Sequence, residues 1–368
     1  MEWIEKTLGD IGDIVGGATP STKHEEYYGG KIAWITPKDL SSFKGRYISY
    51  GERNITEAGL ASCSAQMMPP NTILFTSRAP IGYVAIAKHS VCTNQGFKSI
   101  VPHEGIDPLF LYYLLKYNKD RIEAMGSGTT FKEVSGKTMK GVRVCIPRMV
   151  GDQKKISSIL DSIDSKIENN TKINDNLQQQ AQAIYASMFV DNADPAWQQG
   201  HLSDLVTVRY GKDHKKLADG IYPVYGSGGI MRHVERPLYD KESVLIPRKG
   251  TLNNVMYVNQ PFWSVDTMFY TEMRLPNVAK FVYHFVKAKD LASMNAGSAV
   301  PSMTTDILNA MEVAIPPASV LEEFESLVAP MYRAMQENNA QSKKLADLRD
   351  TLLPKLMSGE IDVSGIQL

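Results

Sequence analysis

The amino-acid sequence predicts an α+β protein that contains one mixed domain twice, with a long helix after each copy. Three observations support this prediction. Residues at the start of the chain recur near its middle, as Trp3 and Trp197 illustrate. Short runs rich in β-branched residues are interrupted by Gly, Pro and Asn, which is typical of strands and turns. In two long segments apolar residues recur every 3.5 positions, a period that predicts packed helices.

The internal repeat has three blocks, in which the two copies are separated by 194, 171 and 169 residues. The first block pairs Trp3 with Trp197, Leu8 with Leu202, Asp10 with Asp204, Ile11 with Leu205 and Gly17 with Gly211. The second pairs Leu74 with Leu245, Arg78 with Lys249, Val84 with Val255, Phe110 with Phe281, Tyr112 with Tyr283 and Lys116 with Lys287. The third pairs Gly128 with Gly297, Val144 with Val313, Ile146 with Ile315 and Pro147 with Pro316. Because the separation falls by 23 residues after the first block, the second copy should lack part of a loop or hairpin before residue 244.

Each copy should be a small α+β domain. The predicted strands include residues 72–75, 83–87, 243–246 and 254–258, and one helix per copy is predicted near residues 108–119 and 277–287. The predicted segments are 1–147 for the first globular domain, 148–190 for the central helix, 191–316 for the second domain and 317–368 for the C-terminal helix.

The two apolar stripes run from Ile156 to Met188 and from Phe324 to Leu356. At a rise of 1.5 Å per residue, each stripe would be about 50 Å long, which exceeds the width of a small domain. Both become polar at the same middle positions, which are Asn170, Asn174, Asn338 and Ser342. These features predict two long antiparallel coiled-coil-like helices that separate the domains with pseudo-two-fold symmetry. In the alternative arrangement, each amphipathic helix lies alone on its own domain.

The composition indicates a soluble globular protein. No apolar run is long enough to span a bilayer, and the first residues do not resemble a secretory signal, so we expect a cytoplasmic protein. The net charge is zero, but residues 1–150 contain 18 Lys and Arg against 14 Asp and Glu, whereas residues 317–368 contain 5 against 8. That asymmetry permits DNA binding without proving it. The three cysteines show no metal or disulfide spacing, and we expect all three to be reduced in cores.

Motifs for catalysis and for metal binding are missing from the sequence. The string Ser135-Gly136-Lys137-Thr138 resembles the end of a phosphate-binding loop, but Phe131 occupies the position that its first glycine requires. The target-base motif of DNA adenine methyltransferases is absent, as is a glycine-rich cofactor turn. The seven histidines show no spacing suited to a metal ion. The sequence therefore predicts no catalytic residues and no metal site.

Polar, aromatic and cationic residues at predicted turns are candidates for DNA contacts. Arg and Lys suit guanine, Asn and Gln suit adenine, and hydroxyl groups suit either base or a phosphate. In the first copy these residues are Thr19, Ser21, Thr36, Lys38, Asp39, Ser77, Arg78, Thr93, Asn94, Gln95, Ser127, Thr129 and Thr130. In the second copy they are Tyr210, Lys212, Tyr225, Arg248, Lys249, Asn253, Asn254, Asp266 and Ser298. Ordinary solvated turns contain the same residue types, so each candidate by itself is weak evidence.

Four sets of residues make the sequence similar to the specificity subunits of type I restriction-modification systems. Gly-Gly-Ala-Thr-Pro-Ser-Thr and Trp-Ile-Thr-Pro-Lys-Asp-Leu, between residues 16 and 40, resemble the opening of that family's target-recognition domains. Gly-Ser-Gly-Thr-Thr at 126–130 and Val-x-Ile-Pro at 144–147 resemble the end of such a domain. Asp-Gln-Lys-Lys-Ile at 152–156 resembles the family's helix start, and residues 352–361 resemble its C-terminal signature. The second helix starts with Ala-Ser-Val-Leu-Glu-Glu at 318–323 and lacks the Gln-Lys pair.

This resemblance implies a non-catalytic subunit whose two target-recognition domains bind double-stranded DNA and read a bipartite target. It implies two methyltransferase (modification) subunits as partners, which bind S-adenosylmethionine and methylate adenine. Restriction translocase subunits that use ATP and Mg²⁺ are further partners in host defence, and this chain itself should hold no cofactor. Two other functions stay open: a coiled-coil scaffold whose globular repeats bind protein, and an enzyme with an unrecognised site.

Overall fold

The computed structural model describes residues 1–128, 132–294 and 302–365. The chain forms two compact units, Met1–Thr171 with Asn339–Leu368 and Lys172–Asn338. Each unit combines one mixed domain with part of both long helices. The units therefore do not divide at residues 147 and 316, where the sequence pattern changes, because the helix segments are buried in the domain cores.

The first copy follows the predicted α+β pattern. Its strands are β1 (Trp3–Thr7), β2 (Gly12–Gly16), β3 (Tyr28–Ile32), β4 (Trp34–Ile35), β5 (Tyr47–Ile48), β6 (Ile73–Ser77), β7 (Ile81–Ala87), β8 (Cys92–Thr93), β9 (Lys98–Pro102) and β10 (Arg143–Pro147). Its helices are α1 (Leu8–Ile11), α2 (Pro37–Ser41), α3 (Glu57–Ala61), α4 (Pro108–Tyr117), α5 (Lys119–Ala124) and α6 (Gly136–Lys140), with a 3₁₀ turn at Glu25–Tyr27. The long helix α7 (Val150–Ala186) follows and ends in a π turn at Ser187–Asp191.

The second copy repeats most of these elements. Its strands are β11 (Gln198–His201), β12 (Val206–Tyr210), β13 (Asp219–Gly226), β14 (Gly229–Val234), β15 (Ser243–Pro247), β16 (Met256–Val258), β17 (Trp263–Ser264), β18 (Met268–Met273) and β19 (Glu312–Ile315). Its helices are α8 (Leu202–Leu205), α9 (Ala279–Lys287) and α10 (Thr305–Asn309), and the chain continues into the long helix α11 (Ala318–Met357).

Strand order confirms the duplication. In the described residues, the main sheet of the first copy has the order β2-β9-β6-β7-β5, and that of the second has the order β12-β18-β15-β16. The first four strands of the one correspond to the four strands of the other. Each copy also closes with an antiparallel pair of its first and last strands, β1 with β10 and β11 with β19. The repeat in the sequence is therefore a repeat of topology.

The two copies differ between the strands that correspond to β4 and β6. There the first copy contains α2, β5 and α3, whereas the second contains only the strand β14, which forms a hairpin with β13. Strand β4 pairs in parallel with β8, and β13 pairs in parallel with β17 in the same way. The predicted shortening before residue 244 is thus confirmed, and in the second copy the strand β14 replaces two helices and a strand.

The predicted helix at 108–119 is present but is divided in two. Asp107 begins α4 by accepting a hydrogen bond from the Phe110 amide at 2.8 Å, and Pro108 supplies the fixed first-turn geometry. The helix ends at Asn118, whose side-chain amide donates to the Leu114 carbonyl at 2.8 Å. An Asn side chain competes in this way with the helical hydrogen bonds, and α5 starts afresh at Lys119.

Within each unit the two long helices run antiparallel and share a core with the strands. In the first unit, Ile156 and Leu160 of α7 are buried together with Leu356 of α11 and with Phe75 and Phe110 of the domain. In the second unit, a corresponding core contains residues of both helices and of the sheet, namely Ala181, Tyr185, Phe324, Val328, Val244 and Phe269. Packing of the helices against each other is confirmed. Each helix also packs on a domain, so the two arrangements considered from the sequence are combined.

Polar residues in the middle of the two stripes pair across the helices. Asn170 donates to the Ser342 hydroxyl at 3.1 Å in the first unit. Asn338 donates to the Asn174 side chain at 2.9 Å in the second. Asn170 is buried and a buried amide needs a partner, so this pair favours one alignment of the helices over shifted ones.

Gln153 fastens the start of α7 to the first domain. Its side chain is only 1% exposed. The amide nitrogen donates to the carbonyls of Pro147 at 3.0 Å and Gly105 at 3.3 Å, and the amide oxygen accepts from the Asp107 amide at 2.9 Å. In the second copy the corresponding position is Leu321, which is 2% exposed and lies in the apolar core. The two helix starts are therefore held by different interactions.

Replacing Gln153 with Leu should destabilise the first unit by about 1–3 kcal/mol, because it leaves buried backbone groups at Pro147 and Asp107 without partners. We expect faster hydrogen-deuterium exchange in peptides that cover residues 105–110, with unchanged exchange in the second unit. Lys154→Ala, at the exposed neighbouring position, is the matched control. Equal exchange in Gln153→Leu and the wild type would contradict this role.

A second buried polar contact lies at equivalent positions in both units but uses different residues. In the first unit the Tyr113 hydroxyl donates to Asp164 at 2.7 Å, and Asp164 also pairs with Arg349 at 2.7 Å. In the second unit the place of Tyr113 is taken by His284 and that of Asp164 by Tyr332, and the two side chains are 2.9 Å apart. Each contact joins a domain helix to a long helix.

The His284 ring is uncharged in this setting. Its Nδ1 lies 2.8 Å from the Gln182 side-chain oxygen, so a neutral ring that carries its proton on Nδ1 donates to Gln182 and accepts from Tyr332. Burial, and to a lesser degree the positive charge of Lys287, lowers the pKa of His284 to about 4. Protonation would place a second donor opposite a hydroxyl and charge a buried ring.

The second unit should consequently lose stability in acid. Because the pKa of His284 is about 4 in the folded state and 6.5 in the unfolded state, the unfolded state binds more protons between these pH values. Stability falls as the pH falls through that window, by on the order of 3 kcal/mol in total. We expect His284→Phe to be less stable than the wild type at pH 7 but to lack this part of the pH dependence. Parallel stability curves for the two proteins between pH 7 and pH 4 would refute the assignment.

Candidate nucleic-acid interface

The end of strand β2 meets strand β8 in an unusually close backbone contact. The Ala18 amide donates to the Thr93 carbonyl at 3.0 Å. A Cβ atom at Gly17 would lie 2.1 Å from that carbonyl oxygen, so only glycine fits. The Asn94 amide donates in turn to the Ile35 carbonyl at 3.0 Å. Three segments that are far apart in the sequence thus meet at one edge of the first domain.

The second domain has the same edge. A Cβ atom at Gly211 would lie 2.0 Å from the Val265 carbonyl oxygen, which reproduces the constraint at Gly17. In the first domain the Trp34 indole donates to the Ala18 carbonyl at 3.0 Å, and in the second the Trp263 indole donates to the Lys212 carbonyl at 2.8 Å.

The two tryptophans occupy opposite strands of the equivalent parallel pair. Trp34 pairs with Cys92, whereas in the second domain Val224 pairs with Trp263. The hydrogen bond is kept although the indole has changed strands. Sequence comparison missed this equivalence, because neither tryptophan aligns with the other.

At the edge of the first domain, amide and hydroxyl side chains are held in place by local hydrogen bonds. Thr19 donates to the Gln95 side-chain oxygen, and the Asn94 side-chain oxygen accepts from the Gly96 amide at 2.9 Å. Asn94 is partly exposed and Gln95 is exposed. Because side-chain amides match the donor and acceptor pattern of adenine, oriented amides at an exposed edge can discriminate bases.

Thr36 and Asp39 act mainly within the protein. The Thr36 amide donates to the Asp39 carboxylate at 2.7 Å, and the Glu52 amide donates to the same carboxylate group at 2.7 Å. This arrangement caps helix α2 and fixes the loop that follows it. Lys38 is exposed and forms an ion pair with Glu52 at 2.7 Å, while Ser21 is exposed.

Arg78 lies in a charge cluster that sequence reasoning identified only in part. Its guanidinium is 3.4 Å from Glu133, and Lys98 is 3.3 Å from the same carboxylate group. Ser127 joins the cluster through backbone hydrogen bonds with Glu133. With two cations and one carboxylate the cluster is positive, as an edge near phosphates requires. Lys98 and Glu133 carry no motif that could have pointed to them.

Two predicted residues do not reach the surface. Ser77 is 0% exposed and Thr93 is 1% exposed, and the Ser77 hydroxyl donates to the Gly96 carbonyl at 3.2 Å. A buried hydroxyl cannot reach a base edge, so we leave both residues out of the proposed interface. Their place at strand ends suggested exposure, but the close approach of neighbouring strands covers them. The candidates Thr129, Thr130 and Ser298 lie outside the described residues.

The edge of the second domain carries an arginine stacked on a tyrosine. Arg248 lies over the ring of Tyr210 at 5.4 Å, and its guanidinium also donates to the Asp266 carbonyl at 3.3 Å. Tyr210 is 52% exposed. In the repeat, Arg248 corresponds to Ser77. The first copy therefore has a buried hydroxyl at this position, whereas the second has an accessible cation. The Tyr210 ring and the Asp266 carbonyl both contact the guanidinium, whose planar set of donors can pair with guanine.

The other second-domain candidates divide into exposed cations and loop supports. Lys212 and Lys249 are exposed. The backbone of Lys249 forms an isolated antiparallel β-bridge with Ser302, as the backbone of Arg78 does with Glu133. This agreement confirms that Arg78 and Lys249 are equivalent positions of the repeat. The Asp266 side chain is exposed. The remaining three support loops: Asn253 donates to Asp290 at 3.0 Å, Asn254 donates to the Ser227 carbonyl at 2.7 Å, and the Tyr225 hydroxyl accepts from Gln260 at 3.3 Å.

The described residues contain no group of His, Cys, Asp and Glu that could hold a metal ion. The cysteines Cys63, Cys92 and Cys145 are free, and Cys92 is buried, where burial raises the pKa of its thiol to about 12. Cys145 is exposed on β10, so the expectation that all three lie in cores was wrong for it. Its side chain points away from the core because alternate residues of a strand face opposite sides. None of the described helices has the length and apolar character needed to cross a membrane.

Comparison with known proteins identifies the family. The type I restriction modification DNA specificity domain matches residues 1–179 and 195–323. The chain belongs to this family. The specificity subunit of the type I restriction enzyme MjaIX from Methanocaldococcus jannaschii is 33% identical, over 99% of this chain and 95% of that protein. The specificity subunit of the type I restriction enzyme EcoprrI from Escherichia coli is 23% identical, over 89% of this chain and 88% of that protein.

The fold of the specificity subunit agrees with that assignment. The crystal structure of a type I restriction-modification S subunit from M. genitalium superposes with a TM-score of 0.62 at 20% identity, covering 99% of this chain and 97% of that one. As a specificity subunit, the chain is the non-catalytic component of a type I restriction-modification system. Its two matched regions correspond to the two copies of the repeat.

The stacked arginine provides a test of base reading by the specificity subunit. We expect Arg248→Ala to weaken binding to the cognate DNA by about 1–3 kcal/mol and to relax the sequence preference at a single guanine. Arg248→Lys keeps the charge but loses the planar pair of donors, so it should restore affinity in part and discrimination hardly at all. Competition binding against targets with single base changes measures both. A loss of affinity in Arg248→Ala that is equal for all of these targets, and that Arg248→Lys restores, would show that Arg248 contacts a phosphate instead.

Proposed function

We propose that this specificity subunit reads a bipartite DNA target, with one half-site for each target-recognition domain, and directs adenine methylation by partner subunits. One observation carries the proposal: the two domains share one backbone framework at the interface edge but present different side chains on it. Gly17 and Gly211 fix equivalent edges. On these edges, Asn94 and Gln95 of the first domain correspond to Val265 and Asp266 of the second.

The chemistry of the two edges favours unlike half-sites. The first edge offers side-chain amides, which suit adenine, beside the cations Arg78 and Lys98. The second offers the stacked guanidinium of Arg248, which suits guanine. Because the same backbone framework forms both edges, each domain can approach DNA in the same way and still prefer its own bases. Duplication followed by change of edge residues accounts for both features.

The partners in this proposal follow from the family. The curated relatives are specificity subunits of type I restriction enzymes, so each serves in an assembly with other subunits. We propose two methyltransferase subunits that bind S-adenosylmethionine, together with double-stranded DNA. Restriction translocase subunits that use ATP and Mg²⁺ join in the restricting form. Those cofactors belong to the partner subunits.

A coiled-coil scaffold whose domains bind only protein is the rival function. Salt distinguishes the two, since binding to DNA releases counterions and weakens steeply with salt, whereas an apolar protein interface does not. The cations Lys212, Lys249, Arg78 and Lys98 at the two edges favour DNA.

A domain exchange tests the proposal. Residues 8–146 are replaced by the corresponding domain of a relative with a known target, and the complex is assembled with its methyltransferase subunits. We expect sequencing of methylated adenines to show a new first half-site and an unchanged second half-site. The lone chain with S-adenosylmethionine and DNA is the control and should transfer no methyl group. Changes in both half-sites would refute independent reading, and methyl transfer by the lone chain would refute the division of labour.

A further inference from the structure

The hairpin that only the second domain possesses exposes two neighbouring apolar residues at its tip. Ile230 is 54% exposed and Met231 is 61% exposed. The strand register explains why both face solvent: Tyr225 pairs with Ile230 and Val224 with Arg232, so Met231 is an extra residue in a β-bulge. A bulge interrupts the alternation of a strand and redirects side chains, and such bulges are common at binding sites.

The tip is attached to the interface edge of the same domain. The Ser227 carbonyl accepts a hydrogen bond from the Asn254 side chain at 2.7 Å. A Cβ atom at Gly226 would lie 2.5 Å from the Met231 sulfur, so the Met231 side chain covers this glycine. The next residue back, Tyr225, accepts a backbone hydrogen bond from Val265 at 3.1 Å, and Val265 is the residue that Gly211 contacts. The apolar tip and the edge that carries Arg248 are therefore one continuous surface.

We propose that Ile230 and Met231 contact the C5-methyl group of a thymine in the half-site that the second domain reads. The inference rests on the proposed function and adds two residues that determine specificity. Apolar side chains distinguish thymine by its methyl group in the major groove, and a two-stranded ribbon fits into that groove. The first domain lacks the hairpin, so only the second half-site should be read in this way.

The surroundings of the tip favour DNA over a protein as the occupant. Lys212 and Lys249 are exposed on the adjoining edge, and Arg248 is stacked there on Tyr210. Cations beside an apolar tip suit a ligand that offers phosphates and methyl groups together. An apolar protein surface would leave these charges without partners.

Uracil in place of thymine tests the contact, because uracil lacks only the methyl group. Each thymine of the target is replaced in turn, on both strands, and binding by the assembled methyltransferase complex is measured by competition. We expect one replacement in the second half-site to weaken binding by the wild type about three- to tenfold, as expected for loss of one buried methyl group. Uracil replacements in the first half-site should change binding by the same factor whether or not the hairpin residues are substituted.

The double variant Ile230→Ser with Met231→Ser should bind the unmodified target more weakly by a similar factor and should not respond to uracil at that position. Ile221→Ser is the matched control, since Ile221 is 78% exposed on the same hairpin but lies near the start of β13, away from the tip. This control should respond to uracil as the wild type does. The effect of uracil on binding is measured with the wild type, so this part of the test remains valid even if the double variant does not fold.

Several results would overturn the inference. The inference is wrong if no uracil replacement weakens binding by the wild type, or if the double variant still responds to uracil. It is also wrong if the second half-site contains no thymine on either strand, or if the double variant loses only its assembly with the methyltransferase subunits. In each of these cases sequence-specific methylation by the wild type could persist. Failure of the proposed function is recognised separately, by the absence of any sequence-specific methylation.

Discussion

In each unit the apolar stripes of α7 and α11 are buried in the same core as the strands of the adjoining domain. A polar surface helix of this length has little stability of its own, and packing of one apolar face supplies most of it. In the first unit Ile156 and Leu356 lie with Phe75 and Phe110, and in the second Tyr185 and Phe324 lie with Phe269. The helices and the domains consequently depend on each other for their stability.

At Gly17 and at Gly211 the close backbone contact holds the edge of the domain together without help from the side chains that could read DNA. At each glycine, backbone atoms rather than side chains bring together segments that are distant in the sequence. Side chains next to this contact can then vary without disturbing it, as the exchange of Ser77 for Arg248 illustrates. A scaffold held by backbone contacts allows the residues at its edge to change while the fold is kept.

Buried polar contacts are kept between the copies in position but not in chemistry. Tyr113 with Asp164 in one unit corresponds to His284 with Tyr332 in the other. At Gln153, by contrast, the second copy has the apolar Leu321 and packs this position in its core. Each solution satisfies its own donors and acceptors, so substitution of a single member would leave a buried group without a partner. Both members of the Tyr113 and Asp164 pair differ between the copies, and a residue-by-residue comparison of the copies does not detect their contact.

The sequence by itself determined the duplication, the strands β6, β7, β15 and β16, the helices α4 and α9, the two long helices and their polar middle at Asn170 and Asn174, and the family. These features depend on local periodicity and on short strings, which are visible along the chain. Only the tertiary structure decided which candidates are accessible, because exposure depends on residues that are remote in sequence. Thr93 is covered by the approach of Gly17, and Met231 is exposed by a bulge whose register is set by the partner strand. No local pattern encodes either contact, since each exists only when distant segments have packed.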